Sequence, residues 1–599
     1  MSDASPIDSL NEPVSFSLIF NNAPLPSSFE VFSISVHKQV NKIGRACVKI
    51  FGGDPKMNTF EEAESNLFKP GTELEIKMGY DQSNTTVFKG IVQKNGLSIR
   101  DGFQRYKSKR LLVIDCVDKA IKLTKTYTSD IYEDKKDSEI ITALIAKTGL
   151  TKKIQSTNVK HPFLPKYNSN DWDFILQRAA INGMIVINSD NAIEVKEPVG
   201  SGNPTLTIEH GDGLVDFEGS IDGGDQFDSL KFNGYDPFKK ESSSANASEP
   251  TLTAQGNLTG KNLAKDSSPS MTELIVPQPL EASELSSIAN ASLTINRLKK
   301  VYGEVKVKGV KTGNIDSLIK LTGFGSRLDG PSYVTSIKHE LYGGDYFTTF
   351  GFGLNENLNT QSKGINISKL IPPIKGLHIG EVKKIDQDPN NEYRIKVFIP
   401  SLKSTGDGLW ARLTHFYTSP DAGSFFIPEV NTQVVVSFIN DDPRQPVILG
   451  GLYTKTTKPF TEITADNDLK AFVSKEKLTL EFDEKDKLIV IKTSDKNKIT
   501  ISEKDKGVKI EDENGNIIET SDSGISISSK DEIKISSKDV VTISGSKGVS
   551  ISGSSGKGVA VNGNKVELKS DSKLAAEGSA MELKASGAVN VKGGTVNIN

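Results

Sequence analysis

From about Leu478 to Asn599 the chain repeats one short pattern of apolar and polar positions. Each unit opens apolar, polar, apolar, polar and then runs through Gly, Ser, Lys, Asp or Asn: ISIS, IKIS, VTIS, VSIS, VAVN, VELK, MELK, VNVK and VNIN. Ile525, Ile533, Val541 and Val549 fall eight residues apart. Val559, Val566, Leu574, Met581, Val589 and Val596 continue at spacings of seven to ten, and only Leu574, with LAAE, breaks the alternation. Alternation predicts strands with one buried face, and the small polar runs predict turns. So short a period points to a β-helix or β-prism. A strand with two inward side chains cannot bury itself, and an eight-residue unit covers about one face. Three chains wound around one axis would close a triangular prism. The pattern therefore predicts a homotrimeric needle with Ile525, Ile527, Ile533, Ile535, Val541, Ile543, Val549 and Ile551 in its core. From Thr461 onward there is no Pro, Arg, Cys, His, Trp or Tyr, and Phe occurs only at 472 and 482. A narrow core suits Val and Ile better than rings, and a continuous ladder excludes Pro.

Upstream, the pattern also reads mainly as strands. Residues 14 to 118 hold VSFSLIF, FEVFSISVHKQV, RACVKIF, ELEIKMGY, TTVFKGIVQKNGLSI and RLLVIDCVD, separated by turn signals. The period changes at Asp137: DSEIITALIAKTGL is an amphipathic helix stopped at Gly149. A second helix follows, capped by Asn170 or Asp171, carrying Trp172, Phe174, Ile175 and Ala179 and ended by Asn182-Gly183. Residues 236–272 are rich in Ser, Lys and Asn, which predicts a long, dispensable loop. LEASELSSIANASLTINRLKK is a helix, and strands return through YFTTFGFG. After a Pro372-Pro373 linker, five strands between residues 376 and 460 suggest a small closed barrel of the OB type.

Composition narrows the function. The 599 residues are enough for several domains, and a net charge of -3 gives no sign of a nucleic-acid partner. The start, MSDASPIDSLNEP, has neither a basic nor an apolar run, so no signal peptide is expected. Cys47 and Cys116 lie in apolar strand-like runs and read as buried free thiols. His37, His161, His210, His339, His378 and His415 make no metal pair, and the chain has no CxxC. Glu209-His210-Gly211-Asp212 reads as a turn. Asp171 and Asp173 read as helix capping and dipole stabilisation. Gly553-Ser-Ser-Gly556-Lys557 lacks the spacing and helix of a phosphate loop. No catalytic, cofactor-binding or metal residue is assigned, and no enzyme activity or cofactor is expected.

Several runs carry a resemblance. Tyr393-Arg-Ile-Lys-Val-Phe-Ile-Pro400, Trp410-Ala-Arg412, Ala422 to Val430, Val434 to Phe438, Asp441-Asp-Pro-Arg-Gln-Pro-Val447 and Leu449-Gly-Gly-Leu-Tyr453 resemble the OB domain of VgrG proteins and phage baseplate spikes. Gly79-Tyr80, Phe88-Lys-Gly-Ile-Val92, Asp115, Asn170-Asp-Trp-Asp-Phe174, Gly330-Pro-Ser-Tyr-Val-Thr-Ser336 and His339 are similar to the phage tail-hub family. The order hub, OB, needle is that of the VgrG and phage tail hub–spike family. The resemblance implies a mainly β chain: tail-hub β-barrels with short helices, an OB-fold barrel and a C-terminal trimeric triangular β-helix. The expected divisions are 1–120, first hub barrel; 121–235, second hub region with helices; 236–272, Ser-rich loop; 273–372, return of the hub barrels; 373–460, OB-fold domain; and 461–599, spike.

What this implies is a structural central spike of a contractile injection system, of the type VI secretion kind or an extracellular phage-tail-like particle. Its hub would adapt a hexameric inner tube and baseplate proteins to a needle that punctures the target envelope and touches its membrane transiently. Val596, Asn597, Ile598 and Asn599 are the expected interface for a PAAR-like tip protein, with effector cargo carried there too. The expected locations are the bacterial cytoplasm during assembly, then the baseplate, then outside the cell or in the target after firing. The alternative is a trimeric β-helix tailspike that binds or cleaves surface polysaccharide. That work needs exposed aromatic rings and paired carboxylates in a groove, and the needle has no Trp or Tyr.

Overall fold

A computed structural model describes residues 12–53, 59–100, 109–211, 213–236, 240–265, 267–278, 280, 282–354, 373–402, 408–493, 496–553, 556 and 558–598. The chain divides into two compact units, Met1–Pro459 and Phe460–Asn599.

The first unit is built on a thirteen-stranded sheet, eleven strands in one continuous ladder and two, Leu206–Glu209 and Leu318–Thr322, branching from Gly330–Tyr342. Its N-terminal strands alternate as their sequences predict: in Arg45–Phe51, Ala46, Val48 and Ile50 point inward and their neighbours outward. A first core gathers Ile34, Val48, Ile76, Phe88 and Ile114; a second gathers Val305, Ile319, Val334 and Phe350. The N-terminal strands and the later strands, expected as a barrel and its return, share one hydrogen-bonded seam. Val31–Gln39 pairs antiparallel with Gly330–Tyr342, with Ile34 opposite Leu341 and Val36 opposite His339. Among the described residues the ladder stays open, ending at Leu214–Ile221 and Ala23–Pro24.

Helices α1 (Asp137–Ala146) and α2 (Asp171–Ile181) close a third core around Ile141, Leu144, Trp172 and Phe174. Asn170 caps α2: its side-chain oxygen accepts the Asp173 N–H at 2.8 Å. Gly149 lies at φ +74, the left-handed turn that ends the first helical segment.

Residues 236–272 correct the sequence reading. Glu241–Asn246 is a strand, paired antiparallel with Leu230–Asp236, and Thr272–Ile275 joins the same sheet in parallel. A short helix α3 (Gly260–Ala264) lies between them, and the long helix α4 (Ala282–Leu298) packs on this sheet. Arg297 of α4 donates to both Glu249 oxygens, at 2.6 and 3.0 Å. Lys300 donates to the carbonyls of Gln255 and Leu258 at 2.8 and 2.7 Å. A Ser-rich composition reports little apolar burial; it is silent on backbone pairing and ion pairs, which hold this segment.

A five-stranded barrel closes the unit. Its ring is His378–Lys384, Ile395–Phe398, Leu409–Leu413, Pro446–Leu452 and Gln433–Phe438. Val382, Val397, Ala411, Val434, Val436 and Ile448 fill it. Gly380 is required by this packing, because a Cβ there would lie 2.4 Å from Val397 Cγ1. Outside the ring, Ile131, Phe163 and Tyr167 from the hub ribbon pack against the barrel core.

The second unit opens as an antiparallel meander of seven five-residue strands, from Leu469–Val473 to Gly524–Ser528. This differs from a β-helix beginning at residue 461: up to Ser528 each strand turns back on its predecessor. The turns hold themselves; Asp512, for example, accepts the N–H groups of Asn514 and Asn516. Among the described residues after Ser528, no strand pairs within the chain.

Candidate functional site: the apolar repeat face and the hub–barrel junction

Register puts the apolar side chains of the meander on one face. Phe472 lies opposite Leu480, Phe482 opposite Ile489, and Ile491 opposite Ile499; Ile499 in turn faces Ile510, Ile510 faces Ile518, and Ile518 faces Ile527. Cross-strand partners share a face. The opposite face is charged and paired, with Lys498–Glu511 at 2.9 Å and Lys509–Glu511 at 2.6 Å. In one chain the apolar face is uncovered: Phe472, Phe482, Ile489, Ile491, Ile501, Ile510 and Ile518 are 37–53% exposed. A single sheet of this kind has no second layer to bury its apolar side.

The residues expected in the needle core follow the same rule. Ile525 and Ile527 lie on the last meander strand; Ile533, Ile535, Val541, Ile543, Val549 and Ile551 lie on extended chain. All are exposed in the single chain, Ile535 by 69% and Ile543 by 66%. One chain leaves them uncovered. Of the expected tip residues, Val596, Asn597 and Ile598 are exposed and Asn599 lies outside the described residues.

The chemistry-bearing residues are dispersed. Cys47 lies opposite Asp115, and Cys116 opposite Ala46. Both thiols are free, and burial, with Asp115 nearby, pushes Cys47 up to about 11. Burial pushes Cys116 further up still, so neither is a nucleophile at neutral pH. His210 packs edge-on to Phe324 at 5.7 Å beside Gly211 at φ +96, a turn; Asp212 lies outside the described residues. Asp171 pairs with buried Lys166 and Asp173 accepts from Asn170, both local to the helix start. Ser554, Ser555 and Lys557 also lie outside the described residues. Among the described residues no group of His, Cys, Asp and Glu is arranged to hold a metal ion. His339 is fully enclosed, its Nδ1 2.9 Å from the Tyr346 hydroxyl and 3.2 Å from Thr348 Oγ1. Burial, helped by the Lys38 charge, pushes it down to about 3, so it is a neutral ring in the core.

One constellation was not foreseen from the sequence. Arg178 of α2 grips Asp137 of α1 with two hydrogen bonds, at 2.6 and 3.0 Å. His161 Nε2 lies 3.2 Å from Asp137 Oδ2 and 3.0 Å from Arg178 Nη2, while its Nδ1 lies 3.6 Å from Glu284 Oε1 on α4. Glu284 in turn meets Arg444 of the barrel at 3.2 Å, and Arg444 also grips Asp442. Asn440 adds a hydrogen bond to the Pro277 carbonyl at 2.5 Å. All six ionisable side chains are largely buried. Burial alone would push Asp137 up, but Arg178 and His161 outweigh it and hold the carboxyl well below the usual range. Asp442 and Arg444 belong to the run Asp441 to Val447, so one end was legible; no spacing connects them with residues 137, 161, 178 and 284.

Comparison with known proteins gives the following. Residues 11–343 match the family described as the Alg8 N-terminal domain, and residues 378–453 match the Type VI secretion system/phage-baseplate injector OB domain. The type VI secretion system spike protein VgrG3 of Vibrio cholerae serotype O1 is 37% identical over 76 residues, 12% of this chain. That match spans 8% of the relative's length. Two forms of the Francisella PdpA–VgrG complex share the fold. The lidded form has a TM-score of 0.51 at 11% identity, covering 87% of this chain and 80% of the other. The half-lidded form has a TM-score of 0.50 at 10% identity, covering 87% and 88%.

Proposed function

The chain belongs to the family of the Alg8 N-terminal domain and to the VgrG and phage tail hub–spike proteins, and on that premise we propose that it is the trimeric central spike of a contractile injection system. At the coarser level it is a structural hub and spike protein of a baseplate. The observation that carries the finer reading is the uncovered apolar face of residues 469–528, continued by exposed Ile and Val on unpaired chain after Ser528. Buried backbone groups need hydrogen-bond partners, and among the described residues after Ser528 no strand pairing within the chain supplies them. Two further copies supply both the missing walls and the missing ladder.

In this reading the hub meets a hexameric inner tube and baseplate proteins, and the needle carries compression into the target envelope. A closed prism suits that load because it leaves no lateral strand edge. Residues Val596 to Asn599 receive a tip protein resembling the PAAR-repeat family, which also carries effector cargo. The role is mechanical and involves no catalysis. A polysaccharide-cleaving tailspike finds no support in a needle without Trp or Tyr.

Light scattering of the purified protein tests the assembly. The expected mass is three times the 64.9 kDa chain. A well-folded monomer overturns the reading.

A further inference from the structure

The small barrel carries aromatic rings that its own chain leaves open among the described residues. Between Leu409–Leu413 and Gln433–Phe438 the chain makes a short hairpin, with Thr418–Ser419 paired to Ala422–Gly423. Phe416 and Tyr417 enter it, and Phe425 and Phe426 leave it. Phe416 is 83% exposed and Phe425 84%. The hairpin is nonetheless held in place. The Ser424 N–H donates to the Tyr417 carbonyl at 3.0 Å, and the Thr414 hydroxyl at its root lies 3.0 and 3.3 Å from the Ile448 and Leu449 carbonyls. Rings on an ordered backbone lose little freedom when something packs on them, which suits them as anchors at an interface.

A second surface of the barrel is shaped to receive a ring. Ile379 lies opposite Val435, and Val435 opposite Gly450, in one row across three strands. The row faces outward, because Val434 and Val436 on either side of Val435 fill the core. Ile379, Leu449 and Leu452 are exposed beside it. Among the described residues nothing requires a glycine at 450. The ladder is irregular here, between Val435 and Val436, yet the φ of Gly450 is outside the left-handed region. A Cβ added to Gly450 would meet no atom within 4 Å. Glycine weakens a strand, and one that its own fold does not need fits a place where another molecule comes close to the backbone.

We propose that the hairpin rings of one copy, Phe416 and Phe425 foremost, pack on the Ile379–Val435–Gly450 row of the next copy in the trimer. This rests on the trimeric reading above. Two observations make a second copy the occupant. Only residues 453–468 separate the barrel strand Pro446–Leu452 from Leu469–Val473, where the apolar face that two more copies cover begins, so assembly through that face raises the local concentration of barrels. In a closed ring of three, each contact also joins two different patches. The barrel has one that projects and one that is flat.

Hydroxyl-radical footprinting of the full-length protein tests this, with light scattering on the same sample. In the wild type, oxidation of Phe416 and Phe425 is suppressed relative to the urea-unfolded chain. Gly450→Leu fills the open space beside the row, and the protection is lost. Unprotected rings in a sample that scatters as a trimer overturn the contact and leave the trimer standing. Protection that survives Gly450→Leu also overturns it, because the rings then rest elsewhere. A wild type that scatters as a folded monomer removes the trimer and the contact together. The wild-type footprint decides the matter even if Gly450→Leu does not fold.

Discussion

Arg444 Nη1 lies 3.2 Å from Glu284 Oε1, joining a loop of the small barrel to the first turn of α4 in the hub. The two residues are 160 positions apart in sequence. The contact makes the barrel part of the hub's packing and not a bead on a linker. Burial works against the Arg444 charge, but Asp442 and Glu284 outweigh it and hold the guanidinium firmly protonated.

Substitution of the repeat face should prevent assembly. Ile510→Asp or Ile543→Asp brings three carboxylates to one axis in the proposed trimer, at several kcal/mol each. Light scattering should give monomers, while the hub's circular dichroism and thermal transition persist. A trimer of normal stability carrying Ile510→Asp would rule out an inward apolar face.

The segment 236–272 should resist removal. Arg297→Ala leaves Glu249 and the Phe227 carbonyl without their donor. Glu249 is more than half exposed, which screens its share, so the expected loss is about 1–2 kcal/mol. Replacing residues 240–265 with Gly/Ser linker should cost more, because it removes a strand of the sheet under α4. Thermal denaturation reads both; an unchanged melting temperature for the replacement would mean that the segment is dispensable after all.

Acid should destabilise the hub in two stages. His339 titrates near its ordinary value of 6.5 when unfolded and at about 3 when folded. Between those values the unfolded state binds more protons, so stability falls as pH drops through that window, by about 5 kcal/mol when complete. Asp137 is depressed further, so its contribution is present above the ordinary carboxylate range and is lost only below it. Urea denaturation between pH 7 and pH 4 should show the first stage, and His339→Gln should flatten it. A wild-type midpoint independent of pH across that range would contradict the buried neutral ring.

Gly380→Val should damage the barrel alone. The added atoms meet Val397 and Val436, both buried in its core. Overpacking of this kind costs about 1–3 kcal/mol. Exchange protection in His378–Lys384 should drop with that of the hub strands unchanged; a simultaneous loss in both would mean that hub and barrel unfold as one.

How much of this was legible depends on which force writes the pattern. Strands such as Arg45–Phe51 and Gln433–Phe438 alternate because one face is buried, and alternation survives in sequence. The repeats from Ile525 to Val596 alternate too, but the single chain leaves them exposed, and the hairpin meander before them was not legible. Antiparallel return and coiling place the same alternating residues inward, and the turns that decide between them are similarly short and polar. The strand Glu241–Asn246 reads ESSSAN and has almost no apolar signal; backbone pairing with Leu230–Asp236 holds it. The junction cluster joins five elements through side chains scattered over three hundred positions, and no local spacing encodes such a meeting.

The seam between Val31–Gln39 and Gly330–Tyr342 has a consequence for synthesis. Gln39 pairs with Ser336, so one side of the N-terminal strand has no partner until nearly 300 further residues have been translated. At ribosomal rates of roughly 5–20 residues per second, that wait is about 15–60 s. For that time Val31–Gln39 is an open edge on a nascent chain, able to pair with the same edge on a neighbouring ribosome. His37 and Lys38 on that strand are the kind of charged or polar side chains that discourage such pairing. The spacing between ribosomes on one message is thus a variable of folding yield that the finished hub does not display.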